Sequence, residues 1–164
     1  MRIYIPVNLA DMTATDISAR RVHGVTPAAQ EAFPESDREG LEMLATLYAA
    51  DEALLMLRVS AEQNAALDRA DFSQLRRIVA VGEVPDTWVE VVPSEVPTAL
   101  ALHHTVPWSK IESIHIDEAG SEELVLQAIR GNRAAFEATG DIELLWYDVS
   151  ERVALIHELE NRHA

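Results

Sequence analysis

Apolar and polar positions alternate along the opening stretch Arg2–Val7 (RIYIPV), with Ile3, Ile5 and Val7 set against Arg2 and Tyr4. A period of two is the signature of a half-buried strand. Pro6 must lie near the strand's end, because proline cannot donate to a ladder. Three further stretches read the same way. Arg77–Val84 (RIVAVGEV) is rich in β-branched residues, which suit a pleated, half-buried surface. Ile111–Asp117 (IESIHID) places Ile114 and Ile116 on one face and Ser113, His115 and Asp117 on the other. Ile142–Val149 (IELLWYDV) is the last strand, and shorter ones are expected at Trp88–Val92 and Thr98–His104, cut by Pro93 and Pro97.

Between these runs the apolar period lengthens. Leu9–Ser18 is weakly helical, and Thr26 followed by Pro27 is a helix start, with Thr26 as N-cap and Pro27 in the first turn. That helix ends before Pro34. Ser36-Asp37-Arg38-Glu39 has the spacing of a capping box opening a long helix to about Val59. Leu41, Leu44, Tyr48, Leu55 and Val59 form its apolar stripe, widened by Leu47, Leu54 and Leu57. Its second half, Ala53–Leu57, is apolar nearly all round, which predicts burial on several sides or in a subunit interface. Residues 64–73 read as a polar linker with a helical turn. Ser121 caps another helix, with Leu124, Ala128, Ile129 and Phe136 inward, Gly131 weakening its middle and Gly140 as its C-terminal stop. Ser150 opens a closing helix with Val153, Ile156 and Leu159 inward.

The four strong strands and two long helices run β-α-β-β-α-β, the order of an α+β, ferredoxin-like sandwich. In that arrangement the strands of Ile3 and Ile114 are central antiparallel neighbours and the helices cover one face. The segments 8–35 and 86–108 are extra and are the candidates to cover the other face or an edge. No repeat or flexible interdomain linker interrupts the chain, so residues 1–164 are expected to form a single domain with a helix at the C-terminal end.

Composition narrows the function classes. The 164 residues contain 28 acidic and 13 basic side chains, for a net charge of −15, and no cysteine. Twelve acidic and eight basic residues fall in 1–82, against sixteen and five in 83–164, so the excess sits in the second half. Such a surface repels phosphate backbones and anionic lipid, so neither nucleic acid nor membrane is an expected partner. No apolar stretch reaches transmembrane length, and the start lacks the apolar core of a secretion signal. Zero cysteine removes disulfides, thiol nucleophiles and thiolate metal sites and fits a cytoplasmic protein.

Candidate chemistry is sparse. The glycine loops that cradle phosphate or dinucleotides are absent, as are HExxH and G-x-S-x-G motifs. Ser113, His115 and Asp117 share a strand face at a spacing of about 7 Å, close enough for Asp117 to orient His115 for proton transfer. Tyr4, on the neighbouring strand of the proposed fold, joins that face. The competing reading is a structural histidine held by an aspartate. Adjacent His103 and His104 point opposite ways on a strand and make a poor chelate, and the acidic clusters lack a calcium-loop pattern, so no metal or cofactor is expected. His157 and His163 belong to the closing helix or tail. Trp146 and Tyr147 point to opposite faces of the last strand, one ring for the core and the other for a dimer contact or a pocket wall.

The segments RIYIPVNLADM, VHGVTPAAQEAF, PWSKIESIHIDE and LLWYDVSE, in that order, resemble a family of short acidic actinobacterial proteins of unknown function. The resemblance implies a stand-alone bacterial protein and carries over no activity or site residues. The reading that follows is a small cytoplasmic binding or interaction protein, expected to be a homodimer. The alternative is a hydrolase or isomerase using His115 as base and Asp117 as its orienter, with Tyr4, Ser113 and Trp146 at the ligand. A third is an acidic mimic that occupies a basic partner protein.

Overall fold

A computed structural model of the chain describes residues 1–63 and 69–161. In chain order the elements are β1 (Arg2–Val7), α1 (Leu9–Thr13), β2 (Asp16–Ile17), β3 (Arg21–His23), α2 (Pro27–Ala32) and α3 (Arg38–Gln63). They continue with β4 (Ile78–Glu83), β5 (Val89–Val91), β6 (Ala99–Leu102), β7 (Val106–Pro107) and β8 (Ile111–Asp117). The chain closes through α4 (Glu122–Ile129), α5 (Arg133–Ala138), β9 (Leu144–Asp148) and α6 (Arg152–Asn161). Seven strands form one antiparallel sheet in the order β5-β6-β3-β1-β4-β8-β9, and β2 pairs with β7 separately. This is the expected α+β class, an extended ferredoxin-like arrangement with flanking helices and a closing helix.

The pairing inside that class differs from expectation. The strands of Ile3 and Ile114 are not neighbours, because β4 lies between them. The reason is β3, a three-residue strand too short to leave a pattern in the sequence. Both β3 and β4 run antiparallel to β1, so they are parallel to each other. Helix α3 is therefore the crossover from β3 to β4, with β1 slotted between them. From β4 onward the main strands follow in chain order.

The sheet is covered on both faces, so β1 is buried on both faces from Ile3 to Val7 rather than half-buried. On one face Tyr4, Val79 and Val81 meet Ala45, Ala49 and Ala50 of α3. On the other, Ile3, Ile5, Ile114 and Ile116 pack with Met12, Trp108, Leu155 and Leu159. The extra segments thus supply both roles foreseen for them. α1, the β2–β7 pair and Trp108 help cover the second face, while β3, β5 and β6 widen the sheet. α3 turns its alanines inward because small side chains let a helix lie close to a sheet. Its bulky Leu47, Leu55 and Val59 are left exposed on the flanks.

Several helix ends shift by a residue or two. Asp37, not Ser36, caps α3, its Oδ1 accepting from the Gly40 N–H at 2.8 Å. Ser121 sits at the N-cap of α4 without a side-chain cap bond, and the Glu122 carboxylate accepts from Gly120 N–H instead, at 2.8 Å. Gly131, at φ +94°, splits the expected long helix into α4 and α5, and Phe136 ends exposed. Gly140 stands at the C′ position of α5, one residue past the Thr139 cap, but without a positive φ, and the chain passes through it in a 3₁₀ turn (Thr139–Asp141). Asp148, rather than Ser150, caps the turn into α6, which buries Leu155 and Leu159 and leaves Val153 outside. Thr26 caps α2 as expected, accepting from Ala29 N–H at 3.0 Å. The expected linker at 64–73 lies partly outside the described residues, and Arg69–Gln74 is a 3₁₀ turn. No helix among the described residues is long and apolar enough to cross a membrane.

Candidate functional site

Ser113, His115 and Asp117 do share a face of β8, and with it the face that carries Tyr4, but they do not form a working pair. Asp117 is buried and its carboxylate is taken by Arg77. It accepts from the Arg77 backbone N–H at 2.8 Å, from Nε at 3.0 Å and from Nη2 at 2.9 Å. A buried guanidinium needs its charge matched, and Asp117 supplies the match. It is therefore unavailable to orient His115. His115 is half-buried between Val79 of β4 and Trp146 of β9, and its ring makes no hydrogen bond among the described residues. Burial, and then the Arg2 charge, hold its pKa below the usual 6.5. Ser113 is buried, and its hydroxyl has no hydrogen-bond partner among the described residues.

Tyr4 lies two strands from β8, not one, and packs under α3. Its hydroxyl accepts from Arg2 Nε at 3.3 Å, and burial raises its pKa. Trp146 is 61% exposed, while Tyr147 packs against the core. His104 stacks on Trp88 with ring centroids 4.9 Å apart, and His103 meets Glu90 at 2.9 Å. His157 is exposed on α6, and His163 lies outside the described residues. Among the described residues no three His, Asp or Glu side chains gather as a metal would need.

A different constellation forms where α3 passes β3. His23 ends β3 with its ring fully buried. Its Nε2 lies 2.9 Å from Glu52 Oε1 and its Nδ1 2.8 Å from Thr98 Oγ1. A carboxylate can only accept, so Nε2 carries a proton, and in the neutral ring Nδ1 accepts from the Thr98 hydroxyl. Arg21 Nε reaches the same Glu52 oxygen at 2.7 Å, and the Tyr48 ring stacks over His23 at 6.2 Å. The order hydroxyl, imidazole, carboxylate is that of a nucleophile relay. Here His23 and Thr98 are both 0% exposed, so no substrate atom reaches the hydroxyl. The relay links α3, through Glu52, to β3 and to Thr98 just before β6.

Outside that sealed relay lies a groove of about 740 Å³. Tyr48, Leu55, Met56 and Val59 of α3 line it, with Val96 and Arg21 from the sheet side. Asp51 and Glu52 also line it. Glu52 is matched by Arg21 and His23. Asp51 is not closely matched, since its Oδ1 is 4.0 Å from Arg77 Nη1. Burial raises the Asp51 pKa, and the nearby Arg77 and then His23 offset part of that rise.

Sequence reasoning did not single out His23, Arg21, Asp51, Glu52 or Thr98. One signal was present. Asp51-Glu52 is the sole charged pair inside the apolar run Leu44–Leu57, at the level where α3 should be most buried. Charge placed there needs a partner or a purpose.

Residues 1–156 match a family of unknown function, DUF6912, and the chain belongs to it. No curated protein and no solved structure matches the chain.

Proposed function

We propose that this member of the family is a non-catalytic binding protein whose ligand seat is the groove beside α3. The observation that carries the reading is the groove's apolar wall, where Leu55 and Val59 stay 52% and 50% exposed. Its volume falls within the ~300–1,000 Å³ of small-molecule sites, and such sites pair an apolar lining with a few placed polar groups. The proton-transfer reading draws less support, because Asp117 serves Arg77 and the His23 relay is sealed. Binding of the neutral dye Nile red tests the proposal. Saturable fluorescence enhancement is expected, and Leu55→Glu with Val59→Glu should abolish it while the circular dichroism spectrum is kept. Absence of saturable binding to the native chain overturns the reading.

The same reading includes a homodimer, with β9 as the contact. β9 is an edge strand of the sheet, and it carries the exposed Trp146. An antiparallel pairing of two copies centred on Trp146 sets Leu144 against Asp148, so no carboxylate faces another. Exposed aromatics and open strand edges are both common in interfaces. Light scattering on the native chain and on Trp146→Glu tests this, and a strict monomer for both sinks it. The zero cysteine count supports a cytoplasmic setting.

A further inference from the structure

We infer that the groove takes an amphipathic cation, a molecule with an apolar body and one protonated amine, and that Asp51 is the group that receives the amine. This rests on the groove being a ligand seat and adds the class of ligand. The argument is an account of charges. Glu52 holds Arg21 at 2.7 Å and accepts a hydrogen bond from His23 at 2.9 Å, so Arg21 already matches its charge. Arg77 is committed to Asp117 at 2.9 Å and to the Thr139 carbonyl at 3.0 Å, leaving only a 4.0 Å approach to Asp51. Asp51 is therefore a carboxylate beside an apolar wall whose counter-ion among the described residues, Arg77, stands 4.0 Å away and is already committed elsewhere.

Each class of guest meets that carboxylate differently. A neutral apolar molecule covers it and removes water without replacing the lost hydrogen bonds, which costs free energy. An anion faces Asp51 and Glu52 together. An ammonium group beside the apolar wall supplies the missing charge-assisted hydrogen bond while its tail fills the groove. The net charge of −15 also draws cations toward the molecule at low salt.

Displacement of Nile red by dodecylammonium, dodecanol and dodecanoate, each below its aggregation threshold, separates these cases. Dodecylammonium is expected to compete about tenfold better than dodecanol. Asp51→Asn should erase that preference without weakening dodecanol. Glu137→Gln removes one negative charge from exposed α5 and should leave the preference intact. Equal competition by amine and alcohol, or a preference that survives in Asp51→Asn, overturns the cation assignment and leaves the groove standing. Preference for dodecanoate overturns it in favour of Arg21 as the recognition group. If neither Nile red nor any of the three compounds binds, the groove reading itself has failed.

Discussion

Arg76 and Arg77 are neighbours in sequence, and both are buried at the start of β4. They turn to different partners around one residue. Arg76 Nε donates to the Asp117 carbonyl at 2.8 Å and its Nη1 to Glu158 at 2.8 Å, while Arg77 clasps the Asp117 carboxylate. Replacing Arg77 with Met strands a buried carboxylate, so Arg77→Met is expected to lose about 3–5 kcal/mol in urea denaturation. Arg76→Met should lose less, because Glu158 is partly exposed and rehydrates. Two titrating groups give signs that can be checked. His115 has its pKa lowered in the folded chain, so the unfolded chain binds the proton first as pH falls. Stability is thus expected to drop as pH falls below about 6.5, and His115→Gln should flatten that part of the profile. Asp51 is the opposite case. Its raised pKa means that ionisation costs stability as pH rises above the usual carboxylate range. Asp51→Asn should therefore raise the thermal midpoint at pH 7 while it weakens amine binding, the trade that a functional residue makes.

Among the elements, the β4–β8 ladder carries one irregularity with a clear cause. Its register shifts at Val81/Gly82, where Ser113 pairs with Val81 but Ile111 pairs with Gly82. Glu112 is the extra residue, and it reaches Arg2 at 2.7 Å. A Cβ on Gly82 would lie 2.3 Å from the Lys110 carbonyl oxygen, so the backbones come together only with glycine there. Gly82→Ala is expected to cost roughly 1–3 kcal/mol by forcing them apart, read from the urea midpoint at unchanged slope. The elements also show where sequence patterns run out. β1, β4, β8 and β9 were legible because each has enough alternation or β-branching to declare itself. β3 was not, and the error propagated, since without it α3 has no parallel partner strand to leave from. The stripe on α3 was legible as apolar but not as to side. Periodicity cannot say that the alanines will face a close-lying sheet while Leu47, Leu55 and Val59 are turned out. The groove is legible only in three dimensions, because its walls come from α3, β3 and the residues before β6. Asp51-Glu52 hinted at it, and nothing in the three-residue stretch around His23 did.

For the whole molecule, the charge total is a physical load. A net −15 on 164 residues repels itself, and salt screens that repulsion. The thermal midpoint is expected to rise between 0.05 and 0.5 M NaCl (order-of-magnitude conditions set by the Debye length). A midpoint that falls instead would show that paired charges such as Arg20–Asp11, 2.7 Å apart, dominate over the excess.

The place of β1 has a consequence in time. It precedes the other strands of its sheet in the chain, yet it lies between β3 and β4, and β4 begins only at Ile78. A chain emerging from the ribosome therefore carries an apolar strand with both sides open until β3 is made, and with one side open until β4 follows. During that interval α3 can settle over one face but cannot supply the missing ladder. Translation stalled after α3 and before β4 is where ribosome-bound chains of this protein should be most prone to cleavage and clumping, and release of the β4 sequence should end that window.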